Sequence, residues 1–148
     1  MASLADNYLN AEQPIIDQLR AAVPMLAFVD GSRSVQSIVE RTVPLPAALV
    51  IYNGDIVNEQ ESAEMGAVNV IQQKWVVELI VRNGIGFDSG TGERTDAGQL
   101  ISQVLHALSG FPPTHEHRGF YRVQGAPPLY DQGEAYFQLA FITEILTQ

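Results

Sequence analysis

The sequence predicts an α+β domain in which a largely antiparallel or mixed sheet of about four to five strands packs with two main helices. Three observations predict it. Two stretches repeat apolar residues at three- and four-residue spacing, two long stretches sort their side chains by parity, and the connections between them are rich in Asn, Gly, Asp and Pro. The 148 residues show no internal repeat and read as one domain, 1–148.

The first helix is expected over residues 10–23. Ala11, Ile15, Ile16, Leu19, Ala22 and Val23 form its apolar stripe, Asn10 stands where an N-cap belongs, and Glu12 is in the first turn. Pro14 is tolerated only near a helix start, and Pro24 ends the segment. Residues 25–29 then read as a short strand before the turn signal Asp30-Gly31-Ser32, and residues 34–39 as a short helix or another strand.

Residues 46–52 form an apolar, β-branched run that should be a strand. Asn53-Gly54-Asp55 predicts its sharp end, because Asn and Gly accept positive φ. Residues 53–66 then read as a long acidic connection, a protruding hairpin arm or a mobile loop, carrying Asp55, Glu59, Glu61 and Glu64. From 68 to 82 the parity is clear: Ile71, Trp75, Val77, Leu79 and Val81 share one face, and Gln72, Lys74, Val76, Glu78, Ile80 and Arg82 the other.

Glycines at 84, 86, 90 and 92 predict a Gly-rich loop over 83–94. A helix should restart near Thr95 or Asp96, with Ala97, Leu100, Ile101, Val104, Leu105 and Leu108 as its stripe, His106 on the polar side and Gly110 as the stop. Residues 120–123 read as a short strand. Residues 134–146 read as a long one whose odd positions, Ala135, Phe137, Leu139, Phe141 and Ile145, are apolar, while Tyr136, Gln138 and Ile142 lie on a mixed second face. A mixed face is expected where a neighbouring subunit or one of the chain's own helices covers a sheet in part.

Composition removes several functional classes. Eight Lys and Arg against 17 Asp and Glu give a net charge of −9, which disfavours gripping a phosphate backbone. No apolar run approaches the roughly 20 residues of a membrane-spanning helix. Without cysteine there is no disulfide, thiolate metal site or Cys nucleophile. The N-terminus has no secretion signal, so folding in a reducing cytoplasm is expected.

Chemical motifs are equally sparse. The Gly-rich stretch has the spacing G-x-G-x-x-x-G-x-G with no following Lys, so it is not a phosphate loop. His115-Glu116-His117 would put both imidazoles on one side of an extended strand, as a metal-dependent hydrolase would need, yet no third ligand is identifiable and the segment reads as a solvated polar turn. No Gly-x-Ser-x-Gly turn occurs. The Glu59, Glu61 and Glu64 carboxylates read as a solvating cluster, and Phe120 and Tyr121 as strand aromatics, not an RNA-binding pair. No catalytic residue, metal or cofactor is expected.

The order of elements resembles that of the tail terminator proteins of long-tailed bacteriophages, especially the Gp37-like group of contractile-tailed, Mu-like phages. The resemblance is carried by the N-terminal amphipathic helix, the strand Pro46-Ala47-Ala48-Leu49-Val50-Ile51-Tyr52, and the strand with Trp75-Val76-Val77-Glu78. It also rests on the helix end Leu105-His106-Ala107-Leu108-Ser109-Gly110-Phe111 and the pair Pro127-Pro128-Leu129-Tyr130 and Tyr136-Phe137-Gln138-Leu139-Ala140-Phe141. It covers most of residues 10–146.

The resemblance implies a structural, non-enzymatic subunit of the virion, assembled in the host cytoplasm, that closes into a ring, a hexamer, at the head-proximal end of the tail. Its implied partners are further copies of itself, the tail tube protein, the neck or connector protein and, in a contractile tail, the sheath protein. DNA would pass through an acidic lumen without specific binding. Another head-tail joining, tail completion or baseplate component is the alternative. The resemblance assigns no residue by motif, so contacts are expected by region: Asp55, Glu59, Glu61, Glu64, Asp88 and Glu93 toward neighbours or tube, and Tyr136, Gln138 and Ile142 in subunit packing.

Overall fold

A computed structural model describes residues 6–31, 43–64, 66, 68–82 and 91–147, of which 91–96 are described as backbone. The described residues form three helices and a mixed six-stranded sheet: α1 (Glu12–Ala22), β1 (Phe28–Gly31), β2 (Ala47–Asn58), α2 (Glu59–Glu64), β3 (Asn69–Arg82), α3 (Thr91–Leu108), β4 (Tyr121–Val123), β5 (Leu129–Asp131) and β6 (Glu134–Thr147). The expected α+β class stands. Strands run in the order β1, β2, β3, β6, β4, with β5 also on β6; β1 lies parallel to β2 and every other pair is antiparallel.

β3 and β6 are the spine. Both are 14 residues long and pair from Asn69↔Thr147 to Arg82↔Glu134 without a slip, a ladder of roughly 45 Å at the usual rise per residue. Their odd positions face the helices. Trp75, Val77, Leu79, Leu139 and Phe141 join Ala48 and Val50 of β2 in one core with Ile15, Ile16 and Leu19 of α1 and Leu100, Val104 and Leu108 of α3. The expected stripes of both helices therefore turn to the core, except that Ala22 is exposed. Gln18 Nε2 on Ala107 O (3.0 Å) ties α1 to α3, and Arg20 Nη2 on Val29 O (2.8 Å) ties α1 to β1.

Several boundaries differ from expectation. α1 begins at Glu12 with Ala11, not Asn10, at the N-cap; Asn10 is buried instead. The strand expected at 25–29 lies at Phe28–Gly31, since Val23 still closes the helix with its N–H on Leu19 O. α3 starts at Thr91, so its first turn takes up Gly92 and Glu93, which were expected in the loop. It ends as expected, with Gly110 at φ +77°. β5 was not expected as an element; its three residues are all exposed and leave no burial pattern to read. The segment 34–39 and the Gly-rich residues 83–90 lie outside the described residues.

The largest correction concerns residues 53–66. Asn53-Gly54-Asp55 does not end the strand; β2 continues to Asn58 through a bulge, since Tyr52 pairs with Trp75 and Asp55 with Gln73. Three steps on β2 match two on β3, and Gly54 takes φ +90° to allow it. The extra residue inverts parity. Asp55 thereby joins Tyr52 on the face of the helices, and Ile56 turns to the other. Beyond Asn58 the connection is a helix, not a loop: Asn58 Oδ1 caps it by accepting from Glu61 N (3.0 Å), and Ser62 Oγ accepts from Val70 N (2.9 Å), fixing α2 on β3. The result is a hairpin arm with a helical end.

Candidate functional site

The bulge anchors a small network at the root of the arm. Tyr8 donates its hydroxyl to Asp55 Oδ2 (2.5 Å), and its backbone carbonyl accepts from Gln73 Nε2 (2.9 Å). Gln73 Oε1 accepts from Trp75 Nε1 (3.2 Å), so this fully buried amide is satisfied on both sides. Tyr8, Tyr52 and Trp75 stack edge to face at 6.4 and 5.3 Å. Burial, then the bond to Asp55, holds the Tyr8 hydroxyl well above the ordinary tyrosine range. The Tyr8 hydroxyl, the Gln73 amide and the Trp75 indole N–H thus all donate within the chain.

Of the acidic candidates, Asp55 sits at the bulge, while Glu59, Glu61 and Glu64 stand together, exposed, on α2. Asp88 lies outside the described residues; Glu93 falls in the first turn of α3, where only the backbone is described. Tyr136, Gln138 and Ile142 are half-buried at even positions of β6, opposite Ile80, Glu78 and Lys74. They share the sheet face turned away from α1 and α3. At one end of that face Ala47, Leu49 and Ile80 are buried; at the other Ile56, Tyr121 and Leu146 are 64%, 47% and 52% exposed. Desolvation raises the Glu78 carboxyl, which lies mid-face.

The histidine pair separates. His115 is exposed, but His117 is buried, Nδ1 2.7 Å from Thr114 Oγ1. The solvated-turn reading thus fails for His117, and the extended-strand reading fails for both, because 114–117 is a turn closed by His117 N on Thr114 O (3.2 Å). Burial lowers the His117 pKa, with Glu116 opposing, and Nε2 has no hydrogen-bond partner. No group of three His, Cys, Asp or Glu among the described residues is placed to hold a metal. No described helix is long and apolar enough to cross a membrane.

Among the described residues, the sheet face turned away from α1 and α3 and the arm carry the sequence-predicted contact candidates. A model of the phage tail terminator protein family matches residues 5–148. The chain belongs to that family. Among curated proteins, none matches the sequence. The tail terminator fold is similar to that of a chain from a solved virion of a native gene transfer agent particle, with a TM-score of 0.56 over 94% of this chain and 95% of that one, at 18% identity. Tail terminators are structural proteins of the phage tail, and the family therefore places this chain among virion components and not among enzymes.

Sequence reasoning missed three residues that tie these elements together in this tail terminator: Tyr8, Gln73 and Arg118. Gln73 carried a signal, being a polar residue on an otherwise apolar parity face. Arg118 bonds Glu144 through both backbone, N to O at 3.0 Å, and side chain, Nε to Oε1 at 3.6 Å. Thr143, fully buried, donates its hydroxyl to Arg118 O (2.5 Å).

Proposed function

We propose that this tail terminator closes as a ring of six on the head-proximal end of the tail tube, ends tube polymerisation and provides the joint to the neck or connector protein. In a contractile tail of the Mu-like kind it also meets the last ring of sheath protein. The observation that carries this reading is the sheet face away from α1 and α3. There Tyr136, Gln138 and Ile142 are half-buried while Ile56, Tyr121 and Leu146 stand exposed, a surface more apolar than a solitary chain needs. The likeness to a chain of a gene transfer agent virion supports it from the side of the fold. Six copies each carrying −9 make an acidic ring through which DNA passes without specific binding.

Native mass spectrometry and light scattering over a concentration series, alone and with purified tail tubes, test the reading. It expects a species of six times 16.2 kDa, seated at one end of the tube. A chain that stays at 16.2 kDa in both settings overturns it, and seating at the host-proximal end makes the protein a baseplate component instead.

A further inference from the structure

We propose that the two edges of the sheet's outer half are the two sides of a head-to-tail contact between copies of this chain, the acidic arm of one copy lying against the Arg118 and Arg122 edge of the next. This rests on the ring reading above and goes beyond it by naming which surfaces meet.

The edges are opposite ends of the same rows. Ile56 pairs across to Gln72, Gln72 to Glu144, and Arg118 bonds Glu144. One row therefore runs from the arm's edge to the arginine. On the arm side, β1 covers only Ala47 to Val50 of β2, so among the described residues 51–58 have no strand partner on their outer flank. Ile56 and Val57 are 64% and 44% exposed there. An apolar open edge of this kind is a template for another chain.

Charge separates the edges. From residue 42 to residue 73 the sequence has no Lys or Arg, while Asp55, Glu59, Glu61 and Glu64 lie within it. From 117 to 130 it has no Asp or Glu, while Arg118 and Arg122 lie within it; Glu116 borders the segment and Glu144 is the carboxylate beside Arg118. The Arg118 side chain is 80% exposed and reaches its own Glu144 through Nε at 3.6 Å, and its guanidinium carries further N–H donors. On the same edge strand Tyr121, opposite Ile142 on the outer face, and Arg122, opposite Phe141 on the helix face, are exposed. Within a chain of net charge −9, whose copies repel on average, one acidic and one basic edge give a unique attractive register. Because the two patches differ, the contact is head-to-tail, the kind that repeats from copy to copy and forms a ring where the rotation between copies closes.

Charge reversal tests it: Glu59→Lys with Glu61→Lys, Arg122→Glu alone, Arg118→Glu with Arg122→Glu, and the four changes combined. Each variant is weighed by native mass spectrometry alone and on purified tail tubes, at about 0.05 and about 0.5 M salt, with circular dichroism and thermal midpoint as folding controls. Arg122→Glu spares the Arg118 to Glu144 contact, so it separates loss of assembly from loss of fold. Each reversal is expected to cut the ring population at least about 10-fold at low salt, and the combination to restore most of it. A ring indifferent to reversal, a combination no better than its parts, or a charge-rescued species of twice 16.2 kDa overturns this contact. If the unaltered chain forms its ring and only the reversals are silent, the ring reading survives. If it forms none in either setting, both fall.

Discussion

Tyr8 and Asp55, far apart in the chain, meet through a hydrogen bond of 2.5 Å, and the meeting depends on one inserted residue. Without the bulge at Gly54, Asp55 would point to the opposite face of the sheet.

Tyr8→Phe should therefore loosen the arm more than it loosens the core. A loss of about 1 kcal/mol in urea denaturation is expected, that being typical of one hydrogen bond. Hydrogen exchange at residues 55–58 should quicken while residues 75–81 keep their protection. The variant should also lose less stability above pH 10: the folded hydroxyl holds its proton there, the unfolded one releases it, and stability falls as pH rises only where Tyr8 titrates. Uniform acceleration of exchange across the sheet would refute the local role.

Gly54→Ala tests the bulge directly. A Cβ meets nothing within 4 Å, so its cost is the positive φ alone, on the order of 1 kcal/mol. Gly54→Asn should cost less, because Asn tolerates positive φ better. Equal midpoints for the two variants in urea would contradict this.

Acid should act through His117. Its folded pKa lies below that of the unfolded chain, so the unfolded state takes up the proton first as pH falls through about 6.5. Stability is then lost progressively until the folded pKa is passed. His117→Gln should flatten the change in thermal midpoint between about pH 7.5 and 5; an unchanged slope would exclude His117 as its source.

Glu78 carries the reverse sign. Its carboxyl is raised by desolvation, so the folded state keeps its proton longer and stability falls as pH rises above the ordinary carboxylate range. Glu78→Gln should raise the thermal midpoint of the isolated chain at pH 7 and leave it little changed at pH 4. A lower midpoint at pH 7 would show that Glu78 has an attractive partner.

What the sequence disclosed was whatever local periodicity encodes. The odd positions of β3 and β6 and the stripe from Ala97 to Leu108 bury as read, because each repeats along one element. Asn53-Gly54-Asp55 could not be read so, since the same residues serve a turn and a bulge; the choice is made by the pairing of Asp55 with Gln73 and its hydrogen bond from Tyr8. α2 escaped notice because its one buried residue is Ser62, with no apolar stripe beside it. His117 looked exposed among polar neighbours, whereas it is buried and bridges to Ile145 on β6, a contact distant in the chain. Parity placed Tyr136, Gln138 and Ile142 on one face, but the basic edge at Arg118 and Arg122 arises only when β4 docks on β6.

The long ladder between β3 and β6 also governs how the chain reaches this shape. β2 and β3 are neighbours in sequence and α2 joins them, so their hairpin closes with little entropic cost. β3 and β6 start their pairing about fifty residues apart, with α3 between, and such non-local contacts form slowly. For that interval the inner edge of β3, with Trp75, Val77 and Leu79, stands open. Refolding yield should accordingly fall as protein concentration rises, because another molecule's bare β3 competes with β6 for the same edge.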